Sequence, residues 1–355
     1  MHDPKDIPLF FIIGRPRTGT TLLRLLVEAH PNVIIPPESP IILSLYKKYQ
    51  HKEFWTEQDL EALLRDVQKQ QYFNAWLIKE EKLRSEIMKC KGECTFFDII
   101  KKIYLTYPSM FSKEDIKLIG DKNPVYALYI KRMHQLYPDS KFIYISRDYR
   151  DNYLSLIRVN FEIPLVPLVV FRWKFAYLQF KKLWKRNPDT FYFLRYEDLA
   201  SNPEEEIKKV YAFLGIEYKQ EVFDFYKKEK EMKEAYGNSR ELLDIHRSLL
   251  NPVNTSRINT WKEKMSDKQI RMADLVAGRT AEECGYERKF KKFNFLTYLQ
   301  TVPLVVYGKI MYRLMLWGER LPYKIRNGLL EFLGIFLKLY WSLNKNKLRR
   351  KDGPD

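Results

Sequence analysis

Short apolar runs recur along the first two hundred residues, separated by longer stretches in which apolar and polar positions alternate with helical period. The runs near 9–13, 33–35, 116–120, 141–146 and 191–195 predict β-strands, and the segments between them predict helical crossovers. Strands that alternate with helices argue for an α/β fold built on a parallel sheet covered on both sides. Residues 46–113 are too long for a simple crossover and read as mostly helical, with the clearest amphipathic run from Asp59 to Trp76. They are expected to form a cap insertion beside the site and to help define what binds there. A second helical region, 289–351, follows the body of the chain at 1–288 as an extension.

Charge changes the picture mainly in that extension. The chain of 355 residues carries a formal net charge of +17, and between Lys289 and Lys351 there are fourteen Lys/Arg against two Glu, so about +12 lies outside the body. Its aromatic residues are mixed with Leu, Ile, Val and Met at helical spacing, and Ile325, Leu329, Phe332, Leu333, Phe336 and Tyr340 form one apolar stripe. That mixing disfavours a nucleic-acid partner. The charge-free run from Phe293 to Gly308 contains Pro303 and is short for a membrane span. Basic amphipathic helices are instead expected to lie on an anionic membrane surface, the alternatives being helices that pack back on the body or make a homodimer. Cys90, Cys94 and Cys284 lack the spacing and the paired histidines of a zinc site, so no metal is expected and the thiols read as reduced. Met1-His-Asp-Pro-Lys-Asp lacks the basic stretch and apolar core of a signal peptide. The expected location is therefore cytoplasmic and peripheral at the membrane.

The most specific chemistry begins where the first strand ends. Gly14-Arg-Pro-Arg-Thr-Gly-Thr-Thr21 has the glycine spacing of a nucleotide-binding P-loop, yet Thr20 stands where the lysine belongs and Arg17 supplies a cation earlier. Without that lysine, ordinary triphosphate chemistry is disfavoured. What remains is an anion cradle: the N–H groups of Arg17, Thr18, Gly19, Thr20 and Thr21 at the start of a helix. The expected fold is thus α/β, a P-loop-like parallel sheet flanked by helices, with a helical cap insertion and a C-terminal helical extension.

This loop closely resembles the 5′-phosphosulfate loop of sulfotransferases, which move a sulfuryl group from 3′-phosphoadenosine 5′-phosphosulfate (PAPS). Lys141-Phe-Ile-Tyr-Ile-Ser-Arg147, followed eight residues later by Ser155, resembles the family's 3′-phosphate segment, and both side chains can address one anion from a strand end and the next helix. Tyr192-Phe-Leu-Arg-Tyr-Glu-Asp-Leu199, before Asn202-Pro203, resembles the element after the 3′ site, which implies a place for Tyr196 beside adenine. The likeness is greatest to the tyrosylprotein branch and its bacterial relatives. Leu22 to Glu38 keeps that branch's His-Pro helix stop, short strand and glutamate, and Ile119-Gly-Asp-Lys-Asn-Pro124 keeps its lysine.

The resemblance implies that Glu38 is the catalytic base, that Arg17 and Lys122 stabilise the transition state, and that no metal takes part. In-line sulfuryl transfer needs a group to take the acceptor's proton and cations where charge grows on the leaving oxygen. Asn251-Pro-Val-Asn254 and the following segment to Lys262 resemble the part that folds over the cosubstrate. That branch has a lysine where this chain has Asn251, so Arg257 is the expected substitute. Arg150 and Arg158 read as solvated charges on the helix of the 3′ site. The acceptor is a hydroxyl, whether of a lipid, sterol, glycan or tyrosine. The alternative readings are a non-catalytic nucleotide-binding P-loop-like protein and a nucleotide kinase.

Overall fold

The structure is a computed structural model that describes residues 5–159, 162–228, 230–232, 247–292, 294–322, 325–326 and 328. Its strands are β1 (Leu9–Gly14), β2 (Val33–Ile34), β3 (Phe54–Trp55), β4 (Gly92–Glu93), β5 (Leu118–Lys122), β6 (Lys141–Ser146) and β7 (Phe191–Arg195). Five of them form one parallel sheet in the order β2-β5-β1-β6-β7. The run Leu9-Phe-Phe-Ile-Ile-Gly14 is buried throughout because both faces of a parallel sheet are covered. Phe11 and Ile13 join one apolar cluster and Phe10 and Ile12 the other, as the two-residue period of a strand requires.

The crossovers supply α1 (Thr20–Glu28), α2 (Ile41–Tyr49), α3 (Glu57–Gln68), α4 (Glu80–Met88), α5 (Phe96–Leu105), α6 (Ile130–Leu136), α7 (Tyr149–Leu156), α8 (Val166–Trp184), α9 (Tyr196–Ser201) and α10 (Pro203–Leu214). Pro203 opens α10, where its missing N–H costs nothing. Gly215 closes the helix in the left-handed region at φ 79°.

Between β2 and β5 lie α2 to α5, together with an antiparallel pair, β3 with β4, that the helical reading of 46–113 did not anticipate. Trp55 is buried in that pair and donates its indole N–H to the Cys94 carbonyl at 2.8 Å. Thr56 and Thr95 each start a helix with a reciprocal capping box, to Asp59 and Asp98. The amphipathic run from Asp59 does not continue to Trp76: α3 stops at Gln68, and Tyr72 and Leu77, both at positive φ, bracket a short 3₁₀ turn. Leu60, Leu64, Phe96 and Ile100 are contiguous with the main core, so the insertion is welded to the body on its inner side.

The extension begins with a 24-residue helix, Phe295–Gly318, packed along α8. The stripe from Leu329 to Tyr340 lies outside the described residues. Among the described residues no helix is long and apolar enough to cross a membrane.

Candidate functional site

Parallel register places the carboxyl ends of β5, β1, β6 and β7 side by side. Ile12 pairs with Lys122, Gly14 with Ile145, and Ser146 with Arg195, so Lys122, the Gly14 loop, Arg147 and Tyr196 all emerge at one sheet edge. Strand order reverses there, with β5 on one side of β1 and β6 on the other. This is the place where open α/β sheets bind ligands.

The loop is held in an uncommon conformation. Arg17 has φ 68°, in the left-handed region that costs most residues of order 1 kcal/mol or more. Gly19 has φ 96°, and a Cβ there would come within 2.6 Å of Tyr196 Cδ2. The Thr18 hydroxyl donates to the Arg15 carbonyl at 2.7 Å, and Asn152 Nδ2 donates to the Pro16 carbonyl at 2.8 Å. Loop shape is thereby fixed before any ligand arrives. The first N–H groups of α1, without partners inside the helix, point out of its start.

A cleft open to solvent lies over this edge. Arg17, Gly19, Thr20, Thr21, Arg147, Ser155, Tyr196 and Arg257 line it with Leu22, Leu249 and the stretch Asn251–Asn254. Among the described residues no carboxylate lines it. Arg17 Nε donates to Ser155 Oγ at 3.3 Å, Arg147 Nη2 donates to the Arg257 carbonyl at 2.6 Å, and the Arg147 guanidinium stands 4.9 Å from the centre of the Tyr196 ring. Burial first, and then repulsion from Arg257, Arg147 and Arg158, lowers the Arg17 pKa to about 10. Arg257 is lowered in the same direction, chiefly by burial and next by its neighbouring arginines. Arginines this close repel one another, and a multiply charged anion between them relieves the repulsion.

Beside the cleft, Lys122 is buried at the end of β5 and forms an ion pair of 2.8 Å with the half-exposed Glu38. Lys122 Nζ also lies 3.4 Å from Thr21 Oγ1, which joins this pair to the phosphate loop. Two neighbours hold the arrangement. Asn123 Nδ2 donates to the Ser39 carbonyl at 3.1 Å and also to Asp121 Oδ1, fixing the turn that carries Glu38. Asp121, buried, accepts a bond of 2.7 Å from Tyr104; burial raises its pKa to about 7, with the hydrogen bonds of Tyr104, Asn123 and Tyr126 opposing the rise.

The structure brings together Arg17, Gly19, Thr20, Thr21, Arg147, Ser155, Tyr196 and Arg257, with Glu38 and Lys122 at the Thr21 end. Thr18 is placed differently: it is fully buried and its hydroxyl is engaged within the loop, so its side chain does not line the cleft. Arg150 is not a solvated charge. It is 2% exposed, paired with Asp148 at 2.7 Å and stacked on Trp261 at 3.5 Å, because α7 packs against the segment that follows Arg257. Arg158 is exposed, as expected. Asp151 was missed; it accepts from Thr260 Oγ1 at 2.6 Å and from the Trp261 N–H at 2.9 Å, and so pins the Arg257 segment over the cleft. Its only sequence signal was a carboxylate four residues beyond Arg147.

A phosphate loop without its lysine, a second arginine at the neighbouring strand end and a cationic cleft define an anion-binding α/β protein of the nucleotide-loop class. Sequence comparison narrows that class: the profile of the Sulfotransferase family matches residues 8–220, more than half of the chain, and the chain belongs to this family. A Protein-tyrosine sulfotransferase of Drosophila melanogaster is 25% identical over 285 residues, covering 77% of this chain and 50% of the fly protein. The chain thus spans about half the length of that relative. Nodulation protein NoeE of Sinorhizobium fredii is 24% identical over 321 residues, covering 82% of this chain and 69% of that protein. These relatives agree with the likeness to the tyrosylprotein branch and its bacterial relatives. Among solved structures, the sulfotransferase domain from the curacin biosynthetic pathway superposes with a TM-score of 0.53 at 18% identity, covering 79% of this chain and 98% of that domain, and shows the same fold.

Proposed function

We propose that this protein transfers a sulfuryl group from PAPS to an acceptor hydroxyl. The observation that carries the reading is the cleft in which arginines from three separate segments, Arg17, Arg147 and Arg257, converge at the phosphate loop next to the Glu38–Lys122 pair. When bound, PAPS supplies an activated sulfuryl group and its own leaving phosphate. The backbone of Arg17 to Thr21 holds the 5′ side, while Arg147, Ser155 and Arg257 hold the 3′-phosphate and Tyr196 flanks the base. Glu38 takes the proton of the acceptor hydroxyl, and Lys122 with Arg17 offers positive charge where negative charge grows in the transition state.

The relatives named for protein tyrosine make a tyrosine hydroxyl the first acceptor to assay, with lipid, sterol and glycan hydroxyls next. Calorimetric titration with 3′,5′-adenosine bisphosphate, 5′-AMP and ATP with magnesium tests the cosubstrate. Preference for the bisphosphate supports the proposal, whereas preference for ATP with magnesium supports a kinase. Tight bisphosphate binding with no transfer from labelled PAPS across the acceptor panel would support a non-catalytic binder.

A further inference from the structure

The helix Phe295–Gly318 is apolar on two opposite sides. Thr301, Val305, Gly308, Tyr312 and Met315 recur at three and four residues and face the body. A Cβ on Gly308 would come within 2.8 Å of the Phe171 ring of α8, and Arg172 stands 5.3 Å from the centre of the Tyr312 ring. Leu296, Leu299, Val306, Ile310, Leu314 and Trp317 recur with the same period on the other side, where Ile310, Leu314 and Trp317 are each more than half exposed. Ten of the fourteen most exposed large apolar side chains among the described residues lie between 295 and 325. That concentration is far from the scatter of single exposed residues that any protein surface shows.

The charges around this face are predominantly positive. Within the helix the ionisable side chains of Asp, Glu, Lys and Arg are Lys309 and Arg313 alone, both flanking the apolar stripe. At its start Arg271, Arg288, Lys291 and Lys292 line a cleft with Leu275, Phe290, Asn294 and Thr297, with no carboxylate among the described lining residues. Arg288 and Lys291 have carboxylate neighbours at its rim, Glu282 at 2.7 Å and Glu287 at 3.3 Å. At its far end Glu319 is neutralised by Arg326 at 3.2 Å and bonded by Tyr46 at 2.8 Å. A cover for this face must therefore be apolar in its depth and anionic at its rim. The remainder of this chain fits poorly, since residues 329–351 carry six Lys/Arg against one Glu. A second copy would bring the same positive rim against itself.

We propose that this helix docks the protein on an anionic lipid bilayer, lying in the interface with the Leu299–Trp317 stripe among the acyl chains and the Arg271–Lys292 cleft against the phosphate headgroups. An apolar face rimmed by Lys and Arg is the arrangement by which a helix lies on such a surface rather than spanning it. Docking fixes the orientation of the body, because the same helix meets α8 at Phe171 and Arg172 and meets α2 through Tyr46 and Lys47 at Glu319. Arg172 also shares Glu162 with Arg15 of the phosphate loop, so the membrane-facing helix stands a short chain of contacts from the site.

The test is co-sedimentation of the full chain with phosphatidylcholine vesicles, with and without phosphatidylserine, at low and high salt. Sedimentation is expected with phosphatidylserine, weaker without it and weakened by salt, with a blue shift in emission that disappears in Trp317→Phe. The double variant Ile310→Glu with Leu314→Glu changes only solvent-facing side chains; it should lose sedimentation at least tenfold and keep its affinity for 3′,5′-adenosine bisphosphate. Lys291→Ala with Lys292→Ala should lower partitioning about thirtyfold. No binding to phosphatidylserine vesicles overturns the proposal. Light scattering then names the true cover: a dimer that Leu314→Glu dissociates is a second copy, and a monomer is the chain's own residues beyond 328.

Discussion

Replacing Arg147 with Ala removes a guanidinium that is 5% exposed and fastened from several sides. Its Nη2 holds the Arg257 carbonyl at 2.6 Å, its Nη1 reaches the Arg17 carbonyl at 3.4 Å, its plane lies near the Tyr196 ring, and its Nε has no acceptor among the described residues. The hydrogen bonds in place are to neutral carbonyls. Asp151 answers part of this charge, and among the described residues no carboxylate lines the cleft itself, which leaves that side to a phosphate. A hydrogen bond to a charged group contributes about 1.5–3 kcal/mol, so loss of the 3′-phosphate contact should weaken 3′,5′-adenosine bisphosphate about 10- to 150-fold. The nucleotide 5′-AMP lacks that phosphate and should lose only what the slackened Arg257 segment costs, a few-fold. Calorimetric titration of both nucleotides into wild type and Arg147→Ala measures the difference, and Arg147→Lys, which restores the charge without the fork, should recover part of it. An equal loss for both nucleotides would refute a 3′-phosphate role and reduce Arg147 to a brace for the Arg257 segment.

Three further outcomes follow from the same geometry. Glu38→Gln should lower turnover about 10²- to 10⁴-fold and leave bisphosphate affinity nearly intact, because Glu38 faces Lys122 and not the cleft lining; wild-type turnover would place the base elsewhere. Gly19→Ala forces a Cβ at φ 96° to within 2.6 Å of Tyr196, so it should destabilise the fold by about 1 kcal/mol or more and weaken nucleotide binding through a displaced ring, and an unchanged melting temperature together with unchanged affinity would contradict that packing. Asp121 has its pKa raised by burial from an ordinary 3.8 to about 7, so it keeps its proton in the folded state where the unfolded chain has released it. Its contribution to stability is therefore full below about pH 4 and lost as pH rises to about 7, with a slope of at most about 1.4 kcal/mol per pH unit. Asp121→Asn should flatten that part of the denaturation profile, and an identical slope in the variant would show that Asp121 is ionised throughout.

Much of the site was readable from local order because each of its parts sits within a few residues of a strand end. Gly14 to Thr21, Lys122, Arg147 and Tyr196 follow β1, β5, β6 and β7 directly, and parallel pairing alone brings such positions to one edge. Boundaries were less secure where tertiary packing overrode the pattern. Trp76 continues an apolar period past Gln68, but it is buried edge-on against Tyr104, 5.1 Å between ring centres, after the helix has stopped. The β3–β4 pair rests on two residues from each strand, too few to leave a period.

The sheet, the phosphate loop that lacks its lysine, the order of the cations and the basic extension follow from contiguous runs whose periods and spacings are local properties of the chain. Which charges line the cleft and which are buried in the frame follows instead from how distant segments pack. Arg147 and Arg150 are three residues apart on the same strand-to-helix junction, yet one lines the cleft and the other is sealed between Asp148 and Trp261. Their fates were set by residues more than a hundred positions away: Arg257 meets the first and Trp261 the second, because Asp151 accepts from the intervening Thr260 and from Trp261, pressing that segment onto α7. A contact of that kind leaves no trace in the spacing of either segment, because its energy arises only when both are brought together and water between them is displaced.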